Sequence, residues 1–177
     1  VLYYAASQFD ECIRSCREAI RLLERMGDVW EVNMARYQLA AALYRQGKLK
    51  AAIHEARLMH DSGLELGDVQ ASGISLDIWA RASGGRIGAG ITSAEISRKR
   101  HDLQGHAQTL LGEGVRLLLG ENNPVEALRV LEQARDLARK GGIKNTYTTS
   151  IHCWILTAIR IRTEQLCDIS QRRRRAL

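Results

Sequence analysis

The sequence predicts an all-α fold built from stacked helix pairs, and three observations carry that prediction. The first is composition. The 177 residues include one proline and 5% aromatics, and no stretch alternates apolar and polar residues as a half-buried strand does. The second is periodicity, since apolar residues recur every three or four positions over long stretches and so share one helix face. The third is repetition. Phe9-Asp-Glu-Cys12-Ile13, Leu49-Lys-Ala-Ala52-Ile53, Ile87-Gly-Ala-Gly90-Ile91 and Pro124-Val-Glu-Ala127-Leu128 align, with starts spaced 40, 38 and 37 residues. Eighteen residues after each start stands a glycine: Gly27, Gly67, Gly105 and Gly142. A period of that length identifies a repeat architecture.

Each unit reads as two helices. From Phe9 to Met26 the stripe Phe9, Ile13, Cys16, Ile20 and Leu23 marks the first complete helix. Gly27 stops it in a left-handed conformation, and Asp28 caps the next helix through its carboxylate. That next helix spans about 29–46, with Val32, Ala35, Leu39, Ala40 and Leu43 inward, and Gly47 ends it. Residues 49–66 form the following helix, closed by the same Gly-Asp-Val tripeptide at Gly67-Asp68-Val69. Further helices fall near 69–83, 87–104, 107–119, 124–140 and 146–167. At the start of 124–140, Asn123 serves as cap and Pro124 takes the first helical position, where no amide donor is needed. The whole of 1–177 is therefore one array of about four units, their second helices starting near 9, 49, 87 and 124, plus a C-terminal helix over 146–167. The first unit has only Val1 to Ala6 in place of a full leading helix. This predicts a piece cut from a longer polypeptide, with array ends open to self-association.

Leu39-Ala40, Gly47, Leu49, Ala52-Ile53 and Ala56 resemble the tetratricopeptide repeat signature. That signature places a Leu-small pair in the first helix, a glycine at the turn, then a large residue and small ones in the second helix. The resemblance spans about Tyr3 to Gly67. Beyond it the pattern departs, with Asp77-Ile78 in the third unit and Gly114-Val115 in the fourth where Leu-Ala stood. Units longer than the usual ~34 residues, with Gly-Asp between them, look like the repeats of bacterial multidomain signalling proteins. The resemblance implies a right-handed α-solenoid whose small residues, Cys12, Ala52, Gly90 and Ala127, let helices approach closely. It also implies a scaffold that binds a protein or peptide in a concave groove lined by the first helices.

The candidate groove residues follow from helical geometry. Tyr37, Ala41, Tyr44 and Arg45 share a face opposite Leu39, Ala40 and Leu43. Tyr4 precedes Phe9 as Tyr44 precedes Leu49, so Tyr4 points the same way, and Trp79 falls on the corresponding face of the third unit. Few, large aromatics with an Arg are the residues that anchor protein interfaces.

Other chemistry finds little support. The four cysteines have no disulfide or zinc spacing and read as thiols of a reducing, cytoplasmic setting. Gly85-Arg-Ile-Gly-Ala-Gly90-Ile91 has the glycines of a phosphate loop, but Ile91 stands where lysine is required. His54 and His60 are six apart, which turns them away from a shared metal, and no nucleophile-base arrangement can be assembled. The sequence therefore predicts neither an enzyme nor a cofactor. No apolar run approaches the ~20 residues that span a bilayer. The formal charge of +6 owes four positives to the terminal Arg172–Arg175 run. That run and Arg98-Lys99-Arg100 support an alternative, less favoured reading as a nucleic-acid-associated module.

Overall fold

Helices form wherever the apolar stripes run. A computed structural model describes residues 2–98, 102–142 and 146–175, with side chains over 2–98, 102–142 and 150–167. Among the described residues the order is α1 (Leu2–Ala5), α2 (Phe9–Met26), α3 (Val29–Arg45), α4 (Leu49–Leu66), α5 (Val69–Ser83), α6 (Ala89–Ser97), α7 (Leu103–Val115), a π-helical turn (Arg116–Gly120), α8 (Pro124–Lys140) and α9 (Thr146–Arg175). They include no strand.

The helix boundaries of the first two units are set by the Gly-Asp pairs. Gly27 adopts φ 74°, its N–H bonding back to the carbonyls of Glu24 and Leu23, and Asp28 accepts from the Glu31 N–H at 3.2 Å. Gly67, at φ 69°, repeats the device, and the Asp68 carboxylate accepts from the N–H groups of Gln70 and Ala71, both at 3.0 Å. A side chain at either glycine would force a rarely populated backbone region. At α8, Asn123 accepts from the Glu126 N–H at 3.2 Å and Pro124 opens the helix.

The third unit departs from the expected register. The helix expected over 87–104 is the short α6, after which Arg98 is extended, at φ −64° and ψ 133°. Asp102 then caps α7, its carboxylate accepting from the Gly105 N–H, so Gly105 lies in the first turn of a helix instead of ending one. A good N-cap acceptor three residues upstream outweighs glycine's preference for termini. Gly90 also differs from expectation: nothing approaches within 4 Å of where its Cβ would sit, and fully buried Thr92 takes the inward place. Helix α7 begins at Leu103, not near 107, and continues into the π turn. There the buried Arg116 donates to Glu113 at 2.6 and 2.8 Å and to Glu121 at 2.6 Å.

Packing follows chain order. Helix α2 lies on α3, α3 on α4, α4 on α5, α5 on α7, α7 on α8 and α8 on α9, while α3 also meets α5. The short α6 rests on α5 and α7. One continuous apolar core runs from Cys12 and Ile13 through Leu39, Leu76, Leu111 and Leu131 to Ile155 and Ala158. Cys12, Ala52 and Ala127 are all buried in it, as the repeat alignment expects. Two close helix approaches use glycines that the alignment did not mark. A Cβ on Gly63 of α4 would stand 2.5 Å from the Ser72 backbone nitrogen of α5, and one on Gly112 of α7 would stand 3.0 Å from Leu76. No helix among the described residues is long and apolar enough to cross a membrane.

Candidate functional site

Alternate helices converge on one cleft of about 500 Å³. Helix α1 and the start of α2 supply Tyr4 and Phe9, and α3 supplies Tyr37, Gln38, Ala41 and Arg45. Asp77, Ile78 and Arg81 come from α5, Gln108 from α7 and Ser150 from α9. The spacing explains the face: 37, 41 and 45 on α3, and 77 and 81 on α5, each return to one side after a turn. A volume of this size, with apolar walls and a few placed polar groups, lies in the range of ligand and peptide sites.

One end of the cleft is aromatic. Tyr4 and Phe9 meet edge to face, with centroids 5.7 Å apart, and the Arg45 guanidinium lies 5.8 Å from the Phe9 centroid. Arg45 itself is exposed. Gln46 donates to Asp10 at 2.8 Å and so ties the end of α3 to the start of α2 beside this wall.

The other end is a polar network. Asp77 is 1% exposed and accepts from Arg81 Nη2 at 2.5 Å, while Arg81 Nε donates to the Asp77 carbonyl at 3.3 Å. Burial pushes the Asp77 carboxyl above the usual carboxylate range, against the pull of the Arg81 charge and of hydrogen bonds from Arg81 and Tyr37. Burial also works against the Arg81 charge, yet Asp77 beside it holds the guanidinium above its ordinary value. Gln108 Nε2 donates to the Tyr37 hydroxyl at 3.4 Å, and burial raises that phenol's pKa. Gln108 Oε1 has no hydrogen-bond partner among the described residues.

Of the residues predicted from the sequence, Tyr4, Tyr37 and Arg45 meet in this cleft. Tyr44 is half-buried and does not line it; its ring lies under Arg81 at 5.4 Å. The expectation of a partly exposed Trp79 on the same face is corrected. Trp79 is 6% exposed, meets His60 edge to face at 5.8 Å, and is covered by Arg57 at 4.8 Å. The cause is the position of α5, which touches α3, α4, α6 and α7 and has little free face left. Trp79 fills the side toward α4, and the cleft face falls to Asp77, Ile78 and Arg81. Those last three were missed as site residues. Their signal was the departure itself: a charged residue where the second unit carries Leu39, with an Arg four places on.

The remaining sequence candidates are dispersed. Cys12 and Cys16 are buried, their sulfurs 4.0 Å apart, and burial pushes the Cys16 thiol up to about 12. No group of three His, Cys, Asp or Glu able to hold a metal occurs among the described residues. Of the basic clusters, Arg98 pairs with Glu95 at 2.9 Å. Lys99, Arg100 and His101 lie outside the described residues, as do the side chains of Arg172–Arg175. No protein-family model, curated protein or solved structure matches this chain.

Proposed function

We propose that this chain is a non-catalytic interaction or regulatory module, of the kind carried by bacterial cytoplasmic signalling proteins, and that it binds a peptide or partner domain in the cleft. In this reading the helices are antiparallel pairs of a right-handed, tetratricopeptide-like solenoid. The leading helices α1, α3, α5, α7 and α9 form its concave side. The observation that carries the reading is the origin of the cleft: its walls come almost entirely from these alternate helices, with Ser7 in the α1–α2 turn and Phe9 at the head of α2 as the exceptions. An exposed Arg45 beside Tyr4 and Phe9 offers a cationic and aromatic anchor, while the Asp77–Arg81 pair supplies a fixed dipole deeper in.

Selection of binders from a displayed random-peptide library tests this. The selected peptides bind the intact chain, and Arg45→Ala and Tyr4→Ala each weaken them by about tenfold while leaving the unfolding midpoint nearly unchanged. Selected peptides that bind both variants as well as the parent would place recognition elsewhere and remove this cleft from the account.

A further inference from the structure

We propose that a second groove, between the α2–α3 turn and α4, is a docking site for a cationic amphipathic segment of a partner protein. The groove has a volume of about 370 Å³ and uses the N-terminal half of α3, whereas the first cleft uses the C-terminal half. Its floor and walls are apolar: Val32 is buried, and Val29 and Leu58 remain 40% and 37% exposed. Its rim is acidic, formed by Glu24, Asp61 and Glu65. Among the described residues the only cation that lines it, Arg36, is already held between Glu24 at 2.8 Å and Glu55 at 2.9 Å. The groove thus carries three lining carboxylates against one guanidinium that two carboxylates already neutralise, in a chain whose formal charge is +6.

That local inversion of charge specifies the occupant. A cationic segment is repelled by the molecule as a whole and attracted here, so the acidic rim selects both site and orientation. Apolar side chains of the same segment would cover Val29 and Leu58, the arrangement by which an amphipathic helix lies in a groove. Met26 and Trp30, 76% and 50% exposed, are the chain neighbours of the groove's Gly27 and Val29. Gly27 has open space where a side chain would project, which leaves that end of the groove unobstructed. His60 Nδ1 lies 3.4 Å from Asp61 Oδ1, and among the described residues no Lys or Arg pairs with Asp61 or Glu65.

The probe is a synthetic Leu/Lys amphipathic helical peptide, titrated calorimetrically into the full chain beside its Leu/Glu counterpart. The Leu/Lys peptide binds, and its affinity falls as salt rises. The Asp61→Lys/Glu65→Lys double variant weakens it by about tenfold or more, Leu58→Ser weakens it, and Glu132→Lys on the distant α8 leaves it unchanged. Amide chemical shifts of the unmodified chain provide a readout independent of any variant, with perturbations confined to 24–36 and 55–65. The proposal is overturned if the Leu/Lys peptide fails to bind, if the Leu/Glu peptide binds equally, if Glu132→Lys weakens binding as much as the double variant, or if the perturbed amides lie elsewhere.

Discussion

Replacing Gly63 by alanine should destabilise the protein, although the same change in an open helix position stabilises. Gly63 lies within α4, where glycine costs about 1 kcal/mol relative to alanine in helix propensity alone. Against that gain, the added Cβ would stand 2.5 Å from the Ser72 nitrogen and 3.0 Å from both the Ser72 Cα and the Asp68 carbonyl oxygen. All three are backbone atoms at the start of α5, so no side-chain rotation relieves the overlap. An ordinary contact begins near 3.4 Å, so the helices must separate by most of an ångström at their crossing. Overpacking of this kind costs about 1–3 kcal/mol, and more where backbone must move. Because backbone must move here, the cost is taken at the upper end, about 3 kcal/mol; with the propensity gain subtracted the net loss is about 2 kcal/mol, which lowers a urea midpoint by about 1 M for a slope near 2 kcal/mol/M. Gly90→Ala is the internal control: it is helical and exposed with nothing within 4 Å, so it should gain about 0.5–1 kcal/mol. Urea unfolding followed by far-ultraviolet circular dichroism measures both. A Gly63→Ala chain as stable as its parent would refute the close α4–α5 crossing.

Ala52→Leu should cost about 1–3 kcal/mol, because Ala52 is fully buried in the core, and an unchanged denaturant midpoint would contradict that packing. Arg81→Met leaves the Asp77 carboxylate buried and unpaired, so stability at pH 7 should fall by about 3 kcal/mol. The deficit should shrink on acidification, because a protonated Asp77 no longer needs the charge; a pH-independent deficit would contradict an ionised pair. Burial works against the Glu95 charge, but His60 at 3.7 Å, the hydrogen bond from Ser72 and the charge of Arg98 hold its carboxyl below the usual range. A depressed folded pKa contributes stability above the unfolded value, near 4.3, and loses it as pH falls through the folded one. Glu95→Gln should therefore lower the thermal midpoint at pH 7 and converge with the parent as pH falls through the depressed folded value.

Much of the architecture was legible because its determinants are local. Gly27-Asp28 and Gly67-Asp68 announce both a helix stop and the next helix start, and the bounds of α2, α4 and α8 follow from signals adjacent to them. The third unit was misread where two local signals compete. Gly105 matched the repeat register, but Asp102 supplies a carboxylate to its N–H, and the capped helix starts there. Nothing in the repeat pattern indicated Gly63 or Gly112, because a close crossing depends on where two helices meet. The same limit applies to the cleft. Tyr37 and Arg45 share a face by helical geometry alone, whereas the burial of Trp79 depends on how many helices surround α5. Asp77 was visible as a departure from the pattern, but its place in a cleft becomes evident only when α3, α5 and α7 are seen together.

The central claim, that the cleft formed by alternate helices is where a partner binds, is tested most directly by photo-crosslinking. Gln38→p-benzoylphenylalanine places the reactive ketone in the cleft, and Arg21→p-benzoylphenylalanine places it on the exposed face of α2. With a library-selected peptide bound, irradiation should join peptide to the chain through position 38 and leave position 21 unreacted. Crosslinking through position 21 with none through position 38 would contradict the claim.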